Sequence, residues 1–477
     1  MNAALDRYFR LLAQPQLRDY QAGIVRQTNR ALEDGARRVL VESMTGSGKT
    51  TIGARLVSDR VYAGQRVLWL AHREELITQA KGRIEGFGVP GAIIKAGHPE
   101  HLGSALQVGS VQSVVRRLRR LGQFDSIFVD EAHHALSASY VSVLDAFPDA
   151  ETIGLTATPW RLDGRGLGEV FDTMVVGPNP DDLIAAGHIL PARVIGSDRG
   201  MDFSAFVKGR EYSVEAMEEA IGLRDLDGDA PSVFLGEFPT RGTAAAFCRS
   251  VVHAEKVCED FRAAGVPAAV VSGETPTDER AAVLAALEAE TIRVVCCVDV
   301  ISEGYDLPAI SSVILLRKTK SLSLFLQQAG RALRPSPGKT EAVIFDLVGN
   351  SLEHGHPCSA REWTLEGVSP SDRAAQKTAD GEDLSVRRCD SCFGIHKVAP
   401  VCPYCGHEHT PDDRIPVVKA RELREIEKAE LEALQEQRRK ERKQEERGCK
   451  SLADWRALGA KRGYKPGWAI TQWRLRT

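Results

Sequence analysis

Long apolar runs are absent from this 477-residue sequence. The longest, such as Val294 to Val298 and Val313 to Leu316, fall far short of the roughly 18 to 20 residues that span a bilayer, so no membrane span is expected. Met1 to Arg10 carries scattered charges and no apolar stretch, which argues against a secretory signal and for a cytoplasmic protein with reduced thiols. A charge excess is absent too. Lys and Arg number 62 against 65 Asp and Glu, a formal net charge of −3, so a nucleic-acid partner would have to be held by local basic surface. Cysteine is sparse, ten residues in all, and four of them form two Cys-x-x-Cys pairs near the C-terminus, the pattern of a metal site and not of a disulfide framework. What remains, 27% charged and 43% hydrophobic, excludes a fibrous or mostly disordered chain. At roughly 100 to 200 residues per domain, two to four domains are expected.

From Val39 to Val348 short apolar runs alternate with longer helix-patterned stretches. The runs are Val39 to Glu42, Val67 to Ala71, Ile127 to Val129 and Thr152 to Leu155, then Ala244 to Phe247, Ala268 to Val271, Val294 to Val298, Val313 to Leu316 and Val343 to Phe345. Such alternation predicts parallel sheets covered on both faces, because each crossover needs a helix to return the chain. The runs fall into two groups, giving an α/β fold of two lobes, 1–190 and 241–355, joined by an irregular connection, 191–240, with a helix near Val214 to Ile221. A polar linker follows over 356–385, a Cys-rich knot over 386–410, a charged segment over 411–447 and a basic, aromatic stretch over 448–477. Pairs such as Lys428/Glu432 and Glu436/Lys440 predict a solvated helical spacer in the charged segment, whose few apolar residues sustain no heptad.

Ser43-Met44-Thr45-Gly46-Ser47-Gly48-Lys49-Thr50 stands between a strand-like run and a helix-like one, the context a phosphate-binding loop requires. Gly46 and Gly48 let backbone N–H groups close on phosphates at a helix N-terminus, Lys49 reaches the β/γ oxygens of ATP, and the Thr50 hydroxyl can ligate Mg²⁺. Asp130-Glu131-Ala132-His133 follows Ile127 to Val129, which puts two carboxylates at the C-terminal end of a strand, where open α/β folds bind ligands. Asp130 would hold Mg²⁺ through its water shell, while Glu131 would orient and deprotonate the attacking water.

With these motifs in order, the chain resembles the superfamily 2 helicases, with the DEAH form of the second motif. Leu17-Arg18-Asp19-Tyr20-Gln21 is similar to their adenine-reading Q motif, which implies Arg18 and Gln21 at the base. Gly154 to Pro159 resembles the third motif, implying that His133, Thr156 and Thr158, with Gln327, couple hydrolysis to lobe movement. Val298 to Pro308 resembles the fifth, with Gly304 and Asp306 near the nucleotide, and Gln327 to Arg334 fits the sixth, QxxGRxxR. An arginine delivered from a second lobe stabilises transferring phosphoryl charge only in a closed cleft; Arg334 is the first choice for that finger and Arg331 the second. The resemblance covers roughly 17–355 and implies two RecA-like lobes. The Thr156 to Arg161 and Gln327 to Lys339 stretches, with the trailing Cys pairs, look most like bacterial and phage RadD-type DNA repair helicases.

By the same resemblance, His72 and Arg73, then Gly109, Ser110 and Gln112, and in the second lobe Ser272 and Gly273 would touch a nucleic-acid backbone. Arg116 to Arg120 could add attraction or form a solvated face. In the C-terminal stretch Trp455, Lys465 and Trp468 belong to a basic and aromatic mixture suited to stacking on bases, or to a small helical hairpin with a tryptophan core. Cys389, Cys392, Cys402 and Cys405 form a set of four thiolates suited to a closed, structural Zn²⁺ site. The expected function is ATP hydrolysis driving movement on DNA, single-stranded, forked or branched, in repair or recombination. The chain would act as a monomer, with a single-strand-binding or recombination protein as a further partner. An RNA helicase and an ATP-gated clamp or scaffold are the competing readings.

Overall fold

A computed structural model describes residues 15–160, 164–197, 207–208, 211–213, 230–298, 310–367, 385–409, 448–449 and 451–461. The helix expected near Val214 to Ile221, the charged spacer from Lys419 to Arg447, and Gly304, Asp306, Lys465 and Trp468 lie outside the described residues. The chain divides into two units, Met1–Glu408 and His409–Thr477.

The first unit holds both lobes. Its first sheet is built from β1 (Arg38–Glu42), β2 (Val67–Ala71), β3 (Gly91–Ile94), β4 (Leu106–Ser110), β5 (Ser126–Asp130), β6 (Glu151–Thr156) and β7 (Thr173–Val176) in the order β3-β4-β2-β5-β6-β1-β7. Every pairing is parallel. Val39, Leu40 and Val41 are fully buried, as are Val67 to Ala71, because helices cover both faces; these strands read as continuous apolar runs and not as alternation. The helix Lys49–Tyr62 lies very close to the sheet at Gly53, where a Cβ would come within 2.5 Å of Leu155 and 2.7 Å of Trp69. Trp69 in turn stacks on Phe128 at 5.6 Å.

The chain then forms β8 (Ala192–Gly196), a two-stranded ribbon of β9 (Val207–Lys208) and β10 (Glu211–Tyr212), then β11 (Ala244–Phe247), β12 (Ala268–Val271), β13 (Val294–Cys297), β14 (Ser312–Leu315), β15 (Ala342–Asp346), β16 (Val386–Arg388) and β17 (Gly394–Lys397). The second sheet runs β12-β13-β11-β14-β15-β8-β17-β16, parallel from β12 to β8 and antiparallel for the last two pairings. Two features differ from the sequence expectation. β8 falls in the stretch read as an irregular connection, yet it is a strand, because its partner is β15, some 150 residues later in sequence. The Cys-rich segment does not stand alone: Gly196 N–H donates to the Phe393 carbonyl at 2.9 Å, and Ile395 enters the core of the second lobe.

The stretch after the second lobe returns to the first. Trp160 Nε1 donates to the Thr364 carbonyl at 2.9 Å and its ring meets Trp363 edge-on at 4.6 Å, while Leu365 packs on the first-lobe core. In the second unit the helix Leu452–Lys461 buries Trp455 and Leu458, with Cys449 packed against them. Among the described residues no helix is long and apolar enough to cross a membrane.

Candidate active site between the lobes

The phosphate loop leaves β1 with Gly46 and Gly48 at φ of 90° and 86°, left-handed values that glycine adopts without strain. Gly48 is the N-cap of the helix Lys49–Tyr62. The loop is braced internally by Ser47 Oγ donating to the Met44 carbonyl at 2.6 Å, with Ser43 Oγ also 2.6 Å from Ser47 Oγ. From the side, Gln21 Nε2 donates to the Ser47 carbonyl at 3.0 Å, and the Tyr20 hydroxyl donates to the same oxygen. Gln21 Oε1 accepts from Arg18 N–H at 3.1 Å, so the glutamine expected at the base ties the segment before the helix Asp19–Glu33 to the loop. Thr45 Oγ1 is buried and has no hydrogen-bond partner, as suits a hydroxyl lining a phosphate cradle.

The ends of β1, β6 and β5 lie side by side, so the loop after β1 faces the carboxylates after β5. Burial and the charge of Glu131 push the Asp130 carboxyl up to about 7, against the pull of Lys49. Burial lowers Lys49, opposed by Glu131, Asp130 and Glu42. Glu42, the last residue of β1, is itself lifted to about 8 by burial. This crowd of acids around one ammonium fits Mg²⁺: Thr50 and Asp130 are hard oxygen donors, and a divalent cation would relieve the repulsion between Asp130 and Glu131. Glu131 takes a left-handed backbone, φ 49° and ψ 57°, unusual for a side chain of its size and typical of functional sites. Its Oε2 is buried, forms no hydrogen bond, and lies 3.5 Å from His133 Nδ1. His133 Nδ1 is 3.4 Å from Thr156 Oγ1, which donates to the Thr158 carbonyl at 2.8 Å.

Across the cleft the second lobe presents the helix Leu322–Gly330 and the turn after it. Thr158 Oγ1 and Ser323 Oγ are 2.6 Å apart, which joins the third motif to the start of this helix. At the helix end a Cβ on Gly330 would fall 2.6 Å from Thr45 Cβ, and Arg334 Cγ is 3.6 Å from where a Cβ on Gly46 would stand. Arg331 is buried and its charge depresses Lys49; burial depresses Arg334. Gln327 is buried, and its Nε2 has no hydrogen-bond partner. The arrangement therefore gathers two guanidinium groups, an ammonium and a buried carboxylate oxygen around one phosphate-binding loop. Tyr20, Glu42 and Ser323 were not singled out from the sequence. Tyr20 sits inside the quoted Q motif, but neither Glu42 nor Ser323 carries a local signal.

The expected nucleic-acid contacts are more scattered. His72 and Arg73 follow β2, and Arg73 stands at the N-cap position of the helix Glu74–Glu85 without a side-chain capping bond. At Gly109 a Cβ would meet Val114 at 2.7 Å, so packing alone explains that glycine. Ser110 Oγ accepts from Ser113 N–H as a helix cap, whereas Gln112 is exposed. Ser272 is buried in its own turn with Thr275, and Gly273 is exposed. Arg117 and Arg120 both pair with Glu100, which mutes the Arg116 to Arg120 block. Trp455, read either as a stacking surface or as part of a tryptophan core, is only 1% exposed and packs with Leu458 and Cys449, as the second of those readings has it. A half-buried ion pair, Arg280 to Glu75 at 2.6 Å, bridges the lobes beside the 72–73 and 272–273 loops.

The four sulfurs of Cys389, Cys392, Cys402 and Cys405 lie within 4.8 Å of one another, with Cys389–Cys405 and Cys392–Cys402 at 3.7 Å. Tetrahedral Zn²⁺ with bonds of about 2.3 Å requires sulfur separations of about 3.8 Å, so the thiolates fit the metal.

Residues 14–161 match the family described as the Type III restriction enzyme res subunit, and 233–336 match the helicase conserved C-terminal domain. A "51.5 kDa protein" of Lactococcus phage (isolate 7-9) is 30% identical over 84% of this chain and 85% of its own length. The "Putative mitochondrial ATP-dependent helicase irc3" of Schizosaccharomyces pombe is 30% identical over 74% of the chain, which spans 60% of that relative. The "DNA 3'-5' translocase XPB2" of Sulfurisphaera tokodaii is 26% identical over 70% of the chain and 81% of its own length. Among solved structures, a fragment of "a putative HsdR subunit of a type I restriction enzyme from Vibrio vulnificus YJ016" shares the fold, with a TM-score of 0.57 and 23% identity over 72% of this chain and 66% of that one.

Proposed function

We propose that this chain, which belongs to the superfamily 2 helicases, is an ATP-driven helicase or translocase working on DNA in repair or recombination. The observation that carries the reading is the fit across the cleft, where Gly330 lies against Thr45 and Arg334 against Gly46. Arginines that reach the phosphates only in a closed cleft tie each turnover to closing and opening of the lobes. In this reading Lys49 neutralises β/γ oxygens, Thr50 and Asp130 hold Mg²⁺, Glu131 takes the proton of the attacking water, and Arg334 is the finger with Arg331 beside it. Bound Mg²⁺ supplies charge neutralisation between the phosphates. Arg18 and Gln21 serve the base end, and Gly304 and Asp306 the nucleotide from the second lobe. The DNA assignment draws on the archaeal relative named as a DNA translocase and on the restriction-type family matched by the first lobe. Zn²⁺ on the four cysteines is structural, and the RadD-like character and a cytoplasmic setting belong to the same reading.

The test is steady-state ATP hydrolysis with single-stranded, forked or duplex DNA, or RNA. Strong stimulation by single-stranded or forked DNA is the expected result. Stimulation by RNA alone would move the substrate assignment, and no stimulation by any of them would favour an ATP-gated clamp.

A further inference from the structure

Three imidazoles line up between the loop after β2 and the catalytic carboxylate. His72 is the first residue beyond β2 and precedes Arg73. Its ring meets that of His134 edge-on, with centroids 4.5 Å apart at 61°. The His134 ring lies 4.2 Å from that of His133, and His133 Nδ1 is 3.5 Å from Glu131 Oε2. His133 and His134 share the single turn Ala132–His134, in which His134 N–H donates to the Glu131 carbonyl at 3.0 Å. His72 Nδ1 and His134 Nε2 are both closed off from solvent, so the contact is a packed one. The neighbouring Glu74 is directed elsewhere, to Lys95 and His98.

We propose that His134 is a positioning residue that carries occupancy of the 72–73 loop to Glu131, so that a bound strand sets the catalytic carboxylate. The inference rests on the DNA-motor reading and assigns its stimulation to a specific contact. Packed interiors shift between discrete arrangements and do not deform smoothly, so a displaced His72 ring must move its neighbour or lose the contact. Because His134 is bonded through its own backbone to Glu131, that motion reaches a residue already held in a left-handed conformation, where a small rotation redirects the carboxylate. His133, on the same turn, then carries the change on towards Thr156. Interleaved residues do not prove coupling; non-additivity does.

The experiment measures ATP turnover without DNA and at saturating single-stranded DNA for wild type, His134→Ala, His72→Ala, the double variant and His134→Phe. His134→Ala should keep its DNA-free turnover and ATP KM within about threefold while its stimulation ratio falls about tenfold. The double variant should be no worse than the weaker single, and His134→Phe, which keeps a ring against His72, should retain most of the stimulation. Stimulation of His134→Ala equal to wild type, or losses that multiply in the double variant, would overturn the relay while leaving the DNA-motor reading intact. A wild type that DNA does not stimulate would overturn both.

Discussion

Replacing Gly330 by alanine adds one methyl group, and the structure indicates where it goes. The new Cβ would fall 2.6 Å from both Cβ and Cγ2 of Thr45, about 1 Å inside the usual carbon–carbon contact of roughly 3.5 to 4.0 Å. Thr45 cannot retreat, since it is buried in a loop pinned from both sides by Ser43, Ser47, Tyr20 and Gln21. The strain must be relieved by parting the lobes. Overpacking of this size costs about 1 to 3 kcal/mol, which would lower the population of the closed cleft, and with it kcat, about 5- to 150-fold. Folding should not suffer: Gly330 does not have a positive φ, and alanine at a helix position gains about 0.5 to 1 kcal/mol over glycine. The assay is steady-state ATP hydrolysis alongside a thermal melt and binding of a fluorescent nucleotide. The expected result is reduced turnover with an unchanged or higher Tm. Turnover within twofold of wild type would refute the argument that the sixth motif closes on the phosphate loop.

Lys49→Ala should abolish turnover, while Glu131→Gln should bind ATP in a filter assay yet fail to hydrolyse it; robust hydrolysis by Glu131→Gln would remove the general-base role. Arg334→Ala should lose turnover with nucleotide affinity kept within a few fold, and lost binding would make Arg334 an anchor instead. Chelation or Cys402→Ser should release zinc and lower Tm and turnover together, because β17 would no longer cover β8; zinc loss with an unchanged melt would sink that account. Glu42 gives a pH test. Its carboxyl rises from 4.5 to about 8 in the folded chain, so its contribution to stability is full below 4.5 and is lost as pH climbs through about 8. Relative to Glu42→Gln, which cannot ionise, wild type should therefore lose Tm across that window, and parallel curves would show that Glu42 is not buried in its acid form.

The parts of the fold legible in the sequence are those whose cause is local. β1, β2, β5 and β6 are buried on both faces, so they appear as apolar runs whatever surrounds them. β8 has only Val194 and Ile195 as large apolar residues, and its strand character comes from partners at Ala342 to Asp346 and at Gly394, which no window along the chain contains. The site divides in the same way. In the proposed function, phosphate chemistry would demand Lys49, Thr50, Asp130 and Glu131 at fixed positions, whereas Ser323 is ordinary until Thr158 stands 2.6 Å away. Residue types with many uses carry the least local signal: Gly109 serves packing, Ser272 its own turn, and Trp455 a core.

The ties between the lobes are unequal, and their inequality sets how the cleft can open. On the nucleotide side the lobes meet through the Gly330–Thr45 and Arg334–Gly46 contacts and a neutral hydroxyl pair, Thr158 and Ser323, of the kind that contributes about 1 kcal/mol net. On the other side Arg280 joins Glu75 at 2.6 Å and also donates to the carbonyls of Ser272 and Thr275. Glu75 is 25% exposed, so the pair is a partly solvated, charge-assisted bond of the kind that contributes about 1.5 to 3 kcal/mol. In the proposed motor, departure of product phosphates would remove the attraction that holds Arg331 and Arg334 inward, and the weaker side would part first. The lobes would then pivot about the Arg280–Glu75 edge, beside the 72–73 and 272–273 loops, so the gap would widen at the nucleotide while those loops stayed within reach of one strand.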